Sequence, residues 1–393
     1  MSVKKQKSFR HTVLSASLIC IFTAQASSVE QVSSSSASVT TDLGTLGGKS
    51  SYVVAISKDG KRVIGNSETS TPEHHHAFMW ESGKGIKEIG IANPDFLAIT
   101  ASEDGNVVLG RDDHNQLLLW NSDQADAFTP IIFPGFAAPI NDHSIFLSGN
   151  GKVVAGYLMP EIGPKKFFWW TAEKGVNFIS PPSKEYIDSY LPAGISFDGN
   201  VVFGKVVGVN KHFRWTMPNY EDCQEEQGCI ETFAHDDGIS QIFSVSKNGK
   251  TAVGVAVPGN QSTTGFRLTK EGGVEYLVKP SYLTVVDANL VSSNGQVIVG
   301  FGSSKTETKI RHLVRWTEEG EAQDLGSVPS SYMLEFPRSM SDDGKSFAFT
   351  ASNEVGSTSL FKWTENACPE NTNTGYHGCL KDLGKVAGTY SDT

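Results

Sequence analysis

The sequence predicts an all-β protein, a seven-bladed β-propeller of four-stranded antiparallel blades. Three observations carry this expectation. A Ser-x-Asp/Asn-Gly phrase occurs seven times, a short apolar strand accompanies each copy and ends in Trp in six of them, and no helical pattern lies between them.

The phrase comes first. It reads "SKDGKRVIG", "SEDGNVVLG", "SGNGKVVAG", "SFDGNVVFG", "SKNGKTAVG", "SSNGQVIVG" and "SDDGKSFAF" in chain order. Its glycines are Gly60, Gly105, Gly151, Gly199, Gly249, Gly295 and Gly344, spaced by 45, 46, 48, 50, 46 and 49 residues. A fixed period of this size marks a repeat architecture rather than two or three unrelated domains. Asp-Gly and Asn-Gly favour a two-residue hairpin turn, where Gly supplies positive φ, and the Ser two positions earlier can bond to the turn backbone. A β-branched run follows, and six copies end it in Gly, at Gly65, Gly110, Gly156, Gly204, Gly254 and Gly300; Phe349 stands there in the seventh. Glycine inside a strand marks a bulge or a close backbone approach.

The second element reads "HAFMW", "QLLLW", "KFFWW", "KHFRW", "TGFRL", "HLVRW" and "SLFKW". It ends at Trp80, Trp120, Trp170, Trp215, Leu268, Trp316 and Trp363, with a large apolar residue two positions earlier. That spacing puts both side chains on one face of a strand, so the row reads as blade packing rather than a ligand platform. A strand precedes each turn, as in "YVVAIS", and another closes the unit, as in "GIKEIG" or "LKDLG". Four strands per unit of this length give a propeller blade. "TDLGTLGG" near the start and "KDLGKVAG" near the end both resemble a fourth strand, making eight for seven blades. One terminus is therefore expected to complete a blade at the other.

Before the repeats stands an exported leader. Residues 1–26 carry Lys4, Lys5, Lys7 and Arg10, then "TVLSASLICIFTAQA", with Ala24-Gln25-Ala26 as the cleavage site of a signal peptide. Residues 27–41 form a Ser-rich flexible spacer, 42–388 the propeller as one domain, and 389–393 a tail. Cleavage moves the formal charge from −10 to −14. An acidic protein of this kind does not seek nucleic acid, and no membrane insertion of the mature chain is expected. Cys20 leaves with the signal. Cys223 with Cys229 and Cys368 with Cys379 then form two local disulfides, in spacings that suit neither zinc nor redox chemistry.

"DLGTLGGKSSYVVAISKDGKRVIGNS" with "HHHAFMWESGKGIKEIG" resembles the HAF repeat of bacterial exported proteins, over roughly residues 41–388. His-Ala-Phe is intact only at His76, Ala77 and Phe78. The resemblance implies an exported protein, in some relatives a passenger ahead of an autotransporter barrel, and implies no defined chemistry. No barrel is expected after Thr393, which shifts the expectation to a periplasmic, cell-surface or released protein.

No catalytic, cofactor or metal motif stands out. His74 and His76 share a strand face, but His75 does not, and "EHHHAF" reads as a loop end rather than a metal site. Ser244 and Lys247 match Ser-x-x-Lys by chance inside the fifth phrase. The expected function is a monomeric binding module for a protein or glycan at or outside the cell envelope, without a cofactor, contacting its partner through variable loops such as "NSETSTPEHHH", "RDDHNQ" and "YLMPEIGPKK". Two alternatives remain: a propeller hydrolase or lyase with carboxylates around the central channel, or a barrel-less remnant of an autotransporter passenger.

Overall fold

The computed structural model describes residues 43–92, 95–124, 127–135, 145–158, 165–179, 190–207, 209, 211–234, 240–259, 262–304, 311–318, 321–327, 332–353, 358–365 and 378–383. These residues form seven antiparallel sheets, each of four strands consecutive in sequence. The chain is a seven-bladed β-propeller. Blade one comprises β1 (Gly47–Ile56), β2 (Arg62–Thr69), β3 (His75–Glu81) and β4 (Gly85–Glu88). The later blades repeat that order: β5–β8 within 97–130, β9–β12 within 145–178, β13–β16 within 190–234, β17–β20 within 240–276, β21–β24 within 283–327 and β25–β28 within 332–382. The first strands of successive blades touch one another, so they line the centre of the ring.

The turn differs from the two-residue hairpin that the sequence suggests. In the first copy Ser57 N–H donates to the Arg62 carbonyl, which leaves four residues in the loop. Gly60 N–H donates to the Ser57 carbonyl, and Gly60 alone takes positive φ, at 70°. A four-residue loop whose only positive φ is at its third residue fits neither primed two-residue turn, since type I′ needs positive φ at both loop residues and type II′ at the first. The side chains explain the longer loop. Ser57 Oγ donates to Asp59 Oδ1 at 2.7 Å and accepts Arg62 N–H at 2.9 Å, while Asp59 Oδ1 accepts Lys61 N–H at 3.0 Å. Both side chains thus satisfy loop donors that a tighter turn would not have. The Ser-to-Asp/Asn bond recurs in all seven copies.

Hydrogen bonds to these acids set an acid limit on the fold. Asp59 is held below the usual carboxylate range by the Lys61 N–H and then by Ser57, and Asp343 by the Lys345 N–H and Ser341. At Asp104 burial opposes the shift, but bonds from Ser102 and Asn106 outweigh it. A lowered pKa gives stability that is present above the unfolded pKa, near 4, and is lost as pH falls through the folded value. The thermal midpoint should therefore stay level from neutral pH to about 5 and fall steeply below about 4. Scanning calorimetry across that range checks it; a midpoint that begins to fall near pH 6 would point to other groups.

The strand glycines stand against bulges. In blades one, two, four, five and six the innermost strand slips register opposite the glycine of the second strand, for example between Val53 and Ala55. A Cβ on Gly65, Gly110, Gly204, Gly254 or Gly300 would lie 2.2, 2.3, 2.2, 1.9 or 1.6 Å from a carbonyl oxygen of that bulged strand.

Apolar side chains gather between blades rather than within them. Six buried clusters fill the junctions one/two, two/three, three/four, four/five, five/six and six/seven. Each takes in the Trp-row residue of its later blade: Trp120, Trp170, Trp215, Leu268, Trp316 and Trp363. Trp80, whose preceding neighbour is blade seven, belongs to none and is half-buried.

Among the described residues no terminus completes a blade at the other end of the chain. "KDLG" supplies the end of β28 (Cys379–Asp382), the outer strand of blade seven's own sheet. "TDLGTLGG" supplies no fourth strand. Its Leu46 bridges Thr69 in parallel, its N–H donates to Ser67 Oγ at 2.9 Å, and Gly47 opens β1. The expected strand exchange between termini is thus absent among the described residues, because blade one and blade seven each complete themselves.

Candidate functional site

The residue in the second position of each turn phrase faces the mouth of the channel. The seven are Lys58, Glu103, Gly149, Phe197, Lys247, Ser293 and Asp342. Backbone hydrogen bonds join them around the ring: Lys58 N–H to the Glu103 carbonyl, Glu103 to Gly149, Asn150 and then Phe197 onward to Lys247, Asn248 to Ser293, and Ser293 to Asp342. The belt carries six links. Between Asp342 of blade seven and Lys58 of blade one the link is an ion pair between side chains.

That pair belongs to a wider network. Lys247 reaches across from blade five to Asp342 and to Glu103, at 2.6 Å each, and Ser293 Oγ donates to Asp342. Bonds from Lys247, Lys58 and Ser293 hold the Asp342 carboxyl well below the usual carboxylate range, and Asp342 in turn raises Lys58. Asp342 and Lys58 therefore stay charged across the neutral range. The network's exposed members are screened by salt, so it is a weak closure beside a filled apolar core.

Behind the network the junction of blades seven and one is open. A cleft of about 1090 Å³ lies there. Val53 to Ile56 of β1 form one wall; Met340 at the end of β25 (Tyr332–Met340), Phe347 and Ala348 of β26 (Ser346–Asn353), and Lys362 of β27 (Thr358–Thr364) form the other. The openness shows in single residues. Val53 is 51% exposed, whereas its counterparts Ala98, Ile242 and Ala288 are at 5%, 5% and 0%. Ile56 is 62% exposed, while Val291 at the same repeat position is at 9%. The volume is of the size of a ligand pocket.

Of the residues singled out in the sequence, Lys247 of the Ser-x-x-Lys match lies in this site, while the turn glycines, the Trp row and the cysteines lie around it. All seven turn glycines have positive φ, between 66° and 81°. Cys223 and Cys229 are bonded, and their loop sits beside the fourth turn, where Met217 N–H donates to the Asn200 carbonyl at 2.8 Å. Cys379 is also disulfide-bonded; Cys368 lies outside the described residues, as do residues 159–164 of the "YLMPEIGPKK" loop, residues 1–42 and residues 384–393. His76 Nδ1 meets Glu88 at 2.7 Å, and His312 Nδ1 meets Asp324 at 2.9 Å, so the His of one repeat phrase pairs with the acid of the closing strand. The second-position residues were the missed signal. Their charges, Lys, Glu, Lys and Asp at Lys58, Glu103, Lys247 and Asp342, are visible in the phrases, but which of them meet depends on the ring.

Acid–base chemistry finds little support in the cleft. Both of its acids, Glu103 and Asp342, are bonded to lysines, and Asp342 is lowered rather than raised. Burial raises Asp287 against the opposing Arg311, but Asp287 belongs to β21 (Leu283–Val291) and is not among the residues lining the cleft.

No protein-family model matches the sequence, and no curated protein matches it. Solved structures do resemble it. One of two prolyl endopeptidases studied for inter-domain dynamics aligns at TM-score 0.54 and 11% identity over 80% of this chain and 48% of its own. Apo prolyl oligopeptidase B from Galerina marginata aligns at 0.54 and 10% over 85% and 51%. TolB from Acinetobacter baumannii aligns more loosely, at 0.38 and 14% over 66% and 62%. The likeness is one of fold. The chain spans about half the length of the two peptidases, and identities this low extend nothing else to it.

Proposed function

We propose that this chain is an exported interaction module that holds a segment of a partner protein in the cleft between blades seven and one. The observation that carries the proposal is the contrast among junctions: six are filled by apolar cores, and the seventh leaves Val53 and Ile56 exposed over an open cleft. Exposed apolar surface in a concave site marks an interaction surface. The wall residues Val53, Ile56, Met340 and Ala348 are aliphatic. They suit apolar side chains better than the hydroxyls of a glycan, which lose their water without gaining partners there. The Cys223–Cys229 disulfide fits an oxidising compartment, and among the described residues no helix is long and apolar enough to cross a membrane. Residence at or outside a bacterial envelope, as a protein of HAF type, belongs to the same proposal and rests on the sequence.

The test is a charge placed in the wall. Val53→Glu and Ile56→Glu alter exposed positions, so stability should change by no more than about 0.5 kcal/mol. A partner captured from envelope extracts by the wild-type protein should be lost from both variants. Retention at the wild-type level by both would remove the cleft as the binding site.

A further inference from the structure

One position of the third strand shows what the occupant carries. In blades four, five and six this position is Arg214, Arg267 and Arg315, and each faces a partner on the closing strand of its own blade. Arg214 is opposite Glu231, Arg267 pairs with Glu275 at 2.8 Å, and Arg315 lies 3.4 Å from the amide oxygen of Gln323. In blade seven the same position is Lys362, on the wall of the cleft, and the residue directly opposite is Lys381 of β28. Two like charges directly opposite on one sheet face repel. Both lysines are exposed, and neither has a hydrogen bond or ion pair with a described residue. A cation that is paired at its counterparts, within the blade at Arg214 and Arg267 and with Glu365 of blade seven at Arg315, is here doubled and left uncompensated, in a chain whose net charge is −10.

We infer that Lys362 and Lys381 anchor a carboxylate of the occupant, and that the occupant is an extended peptide segment with aliphatic side chains beside an Asp, a Glu or a free C terminus. This rests on the cleft being the binding site. The carboxylate takes the place that Glu231 and Glu275 hold in blades four and five, while the aliphatic side chains cover Val53 and Ile56. A peptide is favoured over a fatty-acyl anion by the hydroxyls of Ser339 and Ser346, which line the cleft beside its aliphatic wall and offer bonds to a peptide main chain that an acyl chain cannot make.

The experiment selects a display library of short linear peptides on the wild-type protein and measures the enriched peptides by fluorescence anisotropy. Enriched sequences should combine Val, Ile or Leu with Asp or Glu. Their affinity should fall about tenfold or more on Lys362→Glu and on Lys381→Glu, the loss expected for a charge-assisted contact. Replacing the peptide's Asp or Glu by Asn or Gln should cost the same. Lys381→Glu has a second readout, because it recreates the cross-strand ion pair of blades four and five and should raise the thermal midpoint while binding falls. Peptides that lose affinity on Val53→Glu but ignore both lysine variants would overturn the anchor and leave the cleft standing. Peptides indifferent to Val53→Glu, or no enrichment at all, would overturn the cleft and the anchor together. Vesicles of phosphatidylglycerol bound in a Val53-dependent way, with no peptide enriched, would overturn the peptide class.

Discussion

Gly300→Ala should destabilise the propeller by on the order of 4 kcal/mol, a larger effect than most single substitutions reach. The added methyl would stand 1.6 Å from the carbonyl oxygen of Asp287 and 3.1 Å from Cα of Ala288. These are backbone atoms of the neighbouring strand, at the point where β21 slips register between Ala288 and Leu290. No rotamer change relieves such a contact. β21 must move away from β22 (Ile298–Ser304), and the central bonds of blade six with it. The φ of Gly300 is not in the left-handed region, so the cost is one of space and not of backbone preference. Gly272→Ala is the control. Its new methyl would meet Glu275 Oε1 and Thr269 Oγ1, side-chain tips that can turn aside. Stability there should change by less than about 1 kcal/mol. Denaturant unfolding of the two variants checks the pair, and equal losses would refute the close-approach account. Blade seven makes the same point without mutation. Phe349 occupies the glycine position there, and β25 opposite it breaks register twice, on both sides of Pro337.

Much of this fold could be read from residue spacing. The turn phrase, the strand glycine and the Trp strand each act within one blade, so their physics is local and repeats with the period. The Cys223–Cys229 bridge is equally local, six residues apart in sequence. The turn type is not legible from the dipeptide, because Asp-Gly taken alone fits the tighter hairpin. Ser57 bonding both to Asp59 and to Arg62 N–H favours the longer loop, and that side-chain network competes with dipeptide preference. The site was not legible because it is a relation between ends. "YVVAIS" in blade one looks like "IFSVS" in blade five, yet Ile242 is buried and Val53 is not. The difference lies in what each faces: blade five meets blade four, and blade one meets blade seven across a junction where the described residues form no filled core. Lys362 likewise reads as one more basic residue in "SLFKW" until its cross-strand partner is known to be Lys381.

The open junction also predicts unequal costs for the same substitution at the same repeat position. Trp215→Ala should destabilise the protein by about 3–5 kcal/mol, the range for emptying a buried aromatic site. Trp215 is fully buried between blades three and four, with its ring 5.7 Å from Trp169 and 5.8 Å from Phe167. Its Nε1 donates to the Gln227 carbonyl at 3.0 Å, inside the Cys223–Cys229 loop, so the truncation loosens that loop as well as the core. Trp80 holds the corresponding place in blade one, and its preceding neighbour is blade seven. It is half-buried and outside the six cores. Trp80→Ala should therefore cost less than half as much, because part of its surface already meets water and the cavity left behind opens to solvent. Denaturant titrations of the two variants give the comparison directly. Equal costs would mean that blade one packs on blade seven as tightly as the other blades pack on one another, and the cleft would then have to be closed in solution. A large gap in cost, with the Trp80 variant still folded, would place the weakest junction of the ring beside Val53, Ile56 and Lys362, where an occupant would supply the apolar contacts that the chain itself leaves unmade.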